Sequence, residues 1–404
     1  MSFPTEAPAP GVCGQTSAPP QFGVDGVKRE RDWPLMTRAE VAAVLARHRR
    51  GPLGARIGPL AELSWHSPRP FSAGVLAKTV QGDALFVKRH HVAIRDAAAL
   101  HEEHRFIAHL RSRGMPVVQV LQTDDGASAV TAGDWTYEVH ELAAGTDVYR
   151  GTMSWMPFAH ASHAYAAGRT LARLHDAAAD FEAPARAIRP LLQSARFLGA
   201  TDLIGALDGW IQAQPRLVKA LSTRPWRADI AEAVLPFHER LVALLPALRP
   251  AWTHGDWHAS NLLWTDGAPG AQVRTILDFG LSDRTWAIYD LALAIERNAI
   301  EWLAEPGSRR VHVDQVDALL DGYESLRPLA GDEYAALRAL LPIVHVEFAL
   351  SEVVYFDGIL ASPQTADIAY DRYLLGHAHW FGQPEGRALL DWLATRPRLQ
   401  RRAA

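Results

Sequence analysis

One cysteine, Cys13, is all the 404 residues contain. A single thiol closes no intramolecular disulfide, so the chain is expected to fold without covalent staples and in a reducing, cytoplasmic setting. Long apolar runs are missing as well: nothing approaches the ~20 residues of a membrane span, and the N-terminus lacks the charged-then-apolar pattern of a secretory signal. No membrane association is expected. Neither sign of charge dominates, since 41 basic and 45 acidic residues leave a formal net charge of −4, which argues against a nucleic-acid partner. Lysine is rare, with four against 37 arginines, and asparagine occurs only as Asn261 and Asn298. In such a chain each lysine and each asparagine carries information.

What is present reads as globular, with 48% apolar residues and a length that favours two domains. Residues 1–35 are rich in Pro, Gly, Ser and Ala without periodicity and read as a disordered leader. Thr37-Arg-Ala-Glu40 forms a capping box for a short helix. From Ala61 to Leu142 the pattern is strands and turns: Glu62–His66, Val75–Val80, Ala84–His90, Val117–Gln122, Ala127–Thr131 and Trp135–Leu142. One helix interrupts them, from Asp96 to Arg113, closed by Gly114. After Gly145 the period turns helical. The expected fold class is α+β, with residues 36–142 as a small antiparallel-sheet lobe and 143–404 as a larger, mostly helical one.

The chemistry concentrates in Trp252-Thr-His-Gly-Asp-Trp-His-Ala-Ser-Asn-Leu-Leu-Trp264 and in Thr275-Ile-Leu-Asp-Phe-Gly280. Asp256 offers a carboxylate that can accept a proton. Asn261, five residues on, and Asp278, ending an apolar run, offer the amide oxygen and carboxylate that hold Mg²⁺ in phosphoryl transfer. Gly-Asp and Asp-Gly pairs also mark ordinary turns, but both halves in this order and proximity point beyond turns. Lys88 ends the apolar strand Ala-Leu-Phe-Val-Lys88, where a compact ammonium suits nucleotide α/β-phosphates. The carboxylate to hold that lysine is Glu103, on the Phe106 stripe of the following helix, with Glu102 as the alternative.

These motifs resemble those of the aminoglycoside phosphotransferase / choline kinase-like family, from about Leu60 to about Ile300. The Leu171-Ala-Arg-Leu-His175 and Tyr289-Asp-Leu-Ala292 segments match it too. The resemblance implies a two-lobed, protein-kinase-like fold that uses ATP and Mg²⁺ to phosphorylate the hydroxyl of a small molecule: an aminoglycoside, amino alcohol, homoserine or sugar. It implies Asp256 as the catalytic base, Asn261 and Asp278 as metal ligands, and Lys88 with Glu103 at the phosphates. The turn Pro70-Phe-Ser-Ala-Gly74 would cover the phosphates through Ser72, and backbone near Glu141–Ala143 would meet adenine. Asp290 would brace the catalytic loop, and His175 reads as structural.

Two rivals stay open. A bacterial Ser/Thr protein kinase of the same superfamily is disfavoured because only about ten residues separate Asp278 from Tyr289-Asp-Leu-Ala292, with no Ala-Pro-Glu after them. A catalytically silent nucleotide-binding module is disfavoured because every metal and phosphate residue is present. His101-Glu-Glu-His104 misses the His-Glu-x-x-His spacing by one, and without cysteine partners no structural zinc site is expected. His90 and His91 read as half-exposed strand ends, Glu347, Glu352 and Asp357 as solvated acids, and the arginines after Thr395 as a solvated tail.

Overall fold

A computed structural model describes residues 21–22, 28–29, 31–49, 56–67 and 71–403. Residues 1–20, most of the expected leader, and Pro70 lie outside them. Two units are distinguished: residues 1–150 with 262–267 and 273–277, and residues 151–261 with 268–272 and 278–404.

In the first unit alternating apolar residues build a five-stranded antiparallel sheet. Its strands are β1 (Leu60–His66), β2 (Ala73–Thr79), β3 (Ala84–His91), β4 (Val130–Ala132) and β5 (Trp135–Glu141), in the order β1-β2-β3-β5-β4. One face carries Val75, Ala77, Leu85, Val87, Tyr137 and Val139 and packs on Val41, Val44 and Leu45 of α1 (Arg38–Leu45). The capping box at Thr37 is formed as its spacing predicts. Period-two alternation sends Lys88, His90, Glu138 and His140 to the opposite face, toward α2 (Ala97–Ser112), which Asp96 caps. Trp33, inside the stretch read as leader, stacks on His91 at 4.7 Å.

Two expected strands are shorter than their apolar patterns. Residues 117–121 make only isolated bridges, at Val117 and Val120, before the two-residue strand Gln122–Thr123. Only Val130–Ala132 remains of the next. Pro116 and the Gly126 turn, at φ 83°, leave too few consecutive residues for long ladders.

The second unit is mainly helical. Helix α3 (Ala161–Ala178) lies against α5 (Val313–Glu324), and two glycines let their backbones touch. A Cβ on Gly168 would sit 1.9 Å from Leu319 O, and one on Gly322 would sit 2.0 Å from Tyr165 O. Between them in sequence, α4 (Ala287–Ala299) is buried at every position. A helix covered all round keeps polar side chains only where each has a use, and α4 keeps Asp290, Glu296, Arg297 and Asn298. Helix α6 (Val346–Val353) is also buried throughout. Glu347 and Glu352 are therefore interior rather than solvated, a correction that follows from the helix having no exposed face. Arg396 is interior too, bonded to Asp317, Asp321 and Glu324; these acids on α5 anchor the last helix, so this arginine is no solvated tail.

Candidate active site

The segment around Asp256 follows strand β6 (Pro250–Thr253), which pairs antiparallel with β9 (Asp283–Trp286). Its Gly255 is at φ 79°, and a Cβ there would meet Leu281 O at 2.3 Å. His-Gly-Asp therefore needs its glycine for both conformation and space.

Helix α4 fixes this loop along one face, since residues 290, 297 and 298 fall at i, i+7 and i+8. Asp290 accepts the N–H groups of His254 at 2.7 Å and Gly255 at 2.8 Å. It also accepts His175 Nε2–H at 3.1 Å, while Tyr323 O–H donates to His175 Nδ1 at 2.9 Å. The structural reading of His175 and the bracing role of Asp290 both follow from this chain. Asn298 accepts Ala259 N–H at 2.9 Å and donates to Trp257 O at 3.0 Å. Both asparagines of the chain thus serve one loop. The rarity of asparagine was the available signal for Asn298, and sequence reasoning did not use it.

Asn261 donates its amide N–H to Asp256 O at 3.0 Å and to Asp256 Oδ2 at 3.1 Å. Both partners are acceptors, so the amide nitrogen must face them and the amide oxygen must point away. His258 Nε2 lies 3.4 Å from Asp256 Oδ2, and Arg297 Nε 4.0 Å from Oδ1. Burial pushes the Asp256 carboxyl up, but the charges of His258, Arg297 and His254 outweigh it and hold the group well below the usual carboxylate range. It stands ionised at neutral pH, able to accept a proton.

Strand β7 (Leu262–Trp264) pairs with β8 (Val273–Ile276), Leu262 opposite Ile276. That register leaves Asn261 and Leu277-Asp278 at the same end of the ladder. Asp278 is exposed and left-handed at φ 55°, a conformation that aspartate tolerates better than most residues. Arg186, unmarked in the sequence, holds this turn: its Nη1 donates to Gly280 O at 3.0 Å and Ser282 O at 3.1 Å.

Of the other expected residues, half-buried Lys88 lies opposite Glu138 and Gly74 in the ladders. Glu103 is buried on α2. Both act electrostatically on His90, which burial holds below the ordinary imidazole range. Ser72 is half-buried in the bend before β2. The N–H of Glu141 is spent on Gln119 O and that of Leu142 on Ala84 O; Ala143 follows, half-buried.

Residues 68–329 match the pattern of the phosphotransferase enzyme family. The chain belongs to that family. Among similar proteins, the homoserine kinase of Xanthobacter autotrophicus is 30% identical over 261 residues, 63% of this chain and 70% of that protein. The homoserine kinase of Methylobacillus flagellatus is 26% identical over 287 residues, 67% and 74% of the two chains. Among solved structures, amicoumacin kinase in complex with AMP-PNP, Ca²⁺ and Ami superposes with a TM-score of 0.50 at 16% identity, over 82% of this chain and 91% of that one. This phosphotransferase is a kinase of small molecules with a mixed α+β fold. Among its described residues no helix is long and apolar enough to cross a membrane.

Around Arg297 several buried polar atoms lack a hydrogen bond, although Arg297 Nε stands 3.4 Å from Glu296 Oε2 as an ion pair. Arg297 Nε and Nη2, Glu296 Oε2, Glu352 Oε2, His345 Nδ1 and Tyr373 Oη make no hydrogen bond among the described residues. Aromatic rings enclose them: the guanidinium sits 5.4 Å from the Trp155 ring and 5.1 Å from Phe348. Trp155 is itself left-handed at φ 62°, and Tyr373 tilts against it at 5.4 Å. Burial of unpaired donors and acceptors costs about 1–3 kcal/mol each, a cost that a bound polar molecule would offset.

Proposed function

We propose that this chain transfers the γ-phosphate of ATP to the hydroxyl of a small zwitterionic acceptor such as homoserine. The observation that carries the reading is the set of buried polar atoms beside Asp256 that make no hydrogen bond among the described residues. The guanidinium of Arg297 complements a carboxylate, and the carboxyls of Glu296 and Glu352, which burial holds above their ordinary range, would ionise against a bound ammonium, all within the same helical unit as the base. A polycationic aminoglycoside would place positive charge against Arg297. The homoserine kinases similar to this chain lend the same support.

Asp256 orients the acceptor hydroxyl and takes its proton late, because the loose transition state asks little of a base. Asn261, whose amide nitrogen is committed to Asp256, has its oxygen left for a cation. With the Asp278 carboxylate it forms a hard oxygen donor pair of the kind Mg²⁺ prefers. Bound Mg²⁺ would neutralise phosphate charge. Lys88, held by Glu103, takes the α/β-phosphates, Ser72 the phosphate-covering turn, and backbone at Glu141–Ala143 the adenine edge. The cytoplasm is the compartment that supplies ATP and Mg²⁺.

The test is an ADP-release assay with Mg²⁺ and ATP over L-homoserine, choline, ethanolamine, kanamycin and a sugar alcohol, for wild type and Asp256→Asn. Homoserine should be the best acceptor, and the variant should lose roughly 10²–10⁴ in kcat while ATP/Mg²⁺ still raises its Tm. Wild type that binds ATP yet phosphorylates none of the panel would favour a silent module. Equal rates for variant and wild type would remove Asp256 from catalysis.

A further inference from the structure

On the face of the first sheet turned away from α1, three imidazoles converge on one carboxylate. His90 Nε2 lies 2.9 Å from Glu138 Oε1. His104 Nε2 and His140 Nε2 lie 2.7 and 2.8 Å from Glu138 Oε2. Their side chains come from β3, α2 and β5, and all four residues are buried, Glu138 to 1% exposure and none above 8%. His90 is buried rather than half-exposed, whereas His91 is half-exposed as expected, and a group with metal-ligand spacing forms here without any cysteine. Residues 90, 104 and 140 are far apart in sequence, and only strand register and the docking of α2 bring them together.

The donor atoms of His104, Glu138 and His140 lie within 4.8 Å of one another, a spread that small side-chain adjustments close to a coordination sphere with ~2.0–2.1 Å metal–nitrogen bonds. His104 carries the supporting contact typical of a metal ligand: its Nδ1 pairs with Ser128 Oγ at 2.8 Å, which orients the ring and leaves Nε2 to face Glu138. Nitrogen and carboxylate donors without sulfur suit Zn²⁺ and its first-row neighbours Co²⁺ and Ni²⁺, rather than Mg²⁺.

We propose that His104, Glu138 and His140, with His90 as the fourth donor, form a divalent transition-metal site of the zinc type that clamps α2 to the sheet. On binding, each ring changes tautomer: the Nε2 proton now donated to Glu138 leaves through solvent while Nδ1 takes one up (donating it, in His104, to Ser128 Oγ), so neutral imidazoles offer their Nε2 lone pairs and Glu138 one carboxylate oxygen to the ion. The site is separate from Asn261 and Asp278, which belong to the other unit. Because Glu138 lies opposite Lys88 in the β3–β5 register, metal occupancy would also alter the carboxylate facing the expected phosphate-binding lysine.

The full-length chain, stripped with a chelator and dialysed, is titrated with ZnCl₂ by calorimetry and with CoCl₂ by visible absorption. One equivalent should bind, with the d–d bands of four-coordinate Co²⁺ and a higher Tm. His104→Gln and His140→Gln should each abolish that equivalent. Ser128→Ala, a milder change that serves if either variant fails to fold, should weaken it about 10–100-fold. His377→Gln, in the separate buried group Glu296, His345 and His377, should leave it unchanged. Wild type that binds no metal would show that the three imidazoles simply satisfy Glu138 by hydrogen bonding. Binding that ignores Ser128→Ala and the two histidine variants, or that disappears with His377→Gln, would equally overturn the assignment.

Discussion

Asp290 and Asn298 stand eight residues apart on one buried face of α4 and hold the two sides of the same loop. Asp290 takes the N–H groups of His254 and Gly255, and Asn298 takes the Ala259 N–H and gives one to Trp257 O. Asp256 lies between those anchor points. Its position is therefore inherited from the phase of a helix that starts 31 residues later, at Ala287.

Replacing Asp290 by Asn turns one carboxylate oxygen into a donor facing another donor. The loss should cost about 1–3 kcal/mol in urea unfolding, and displacement of Asp256 by a fraction of an ångström should lower kcat by up to ~10²-fold. Wild-type kcat in a folded Asp290→Asn protein would contradict this account of the loop.

Gly255→Ala tests the conformation directly. Positive φ for a non-glycine residue costs roughly 1–3 kcal/mol, and here the added Cβ also runs into Leu281 O. Lower stability and lower kcat should appear together. A variant as stable as wild type would mean that the loop tolerates a different backbone path.

Arg297→Met removes the guanidinium but keeps apolar bulk between Trp155 and Phe348. Loss of a charged hydrogen bond is worth about 1.5–3 kcal/mol, so KM for homoserine should rise roughly 10–150-fold. KM for an acceptor without a carboxylate, such as ethanolamine, should change far less. Equal increases for both acceptors would show that Arg297 acts through folding rather than recognition.

Glu347 gives a pH signature. Burial raises its carboxyl from 4.5 to about 8, with Asp283 adding to the rise and Ser194 and Arg196 opposing it. The group is thus protonated in the folded protein over a range where the unfolded chain ionises it. Stability from this source is complete below about pH 4.5 and is lost as pH rises toward about 8, by at most ~1.4 kcal/mol per pH unit. Glu347→Gln keeps a neutral partner 2.5 Å from Ser194 Oγ and removes the titration. The variant should gain on wild type between pH 5.5 and 8.5 in urea unfolding; Glu352, also raised to about 8, leaves a residual slope in both. Parallel pH profiles would mean that Glu347 is ionised in the fold.

Much of the local structure was legible in the residues. The capping box at Thr37 and the limits of α2 at Asp96 and Gly114 each depend on neighbours a few positions away. The segment 117–122 was misread because an apolar run alone does not supply a strand partner. Glu347, Glu352 and Arg396 were misread because charge predicts exposure on average, and only packing tells which charges are enclosed.

The sequence by itself determined the chemistry on offer and its order along the chain: Lys88, then Asp256 and Asn261, then Asp278, with a glycine where the loop needs one. These motifs are local, and local sterics and hydrogen bonding decide them. Only the tertiary structure decided that Arg297 lies beside Asp256, that Asn298 ties the same loop from 41 residues away, and that Glu138 meets His90 and His104 from 48 and 34 residues away. Such contacts depend on strand register and helix phase at once. Both are set by the packing of the whole core, so no short stretch of sequence contains them.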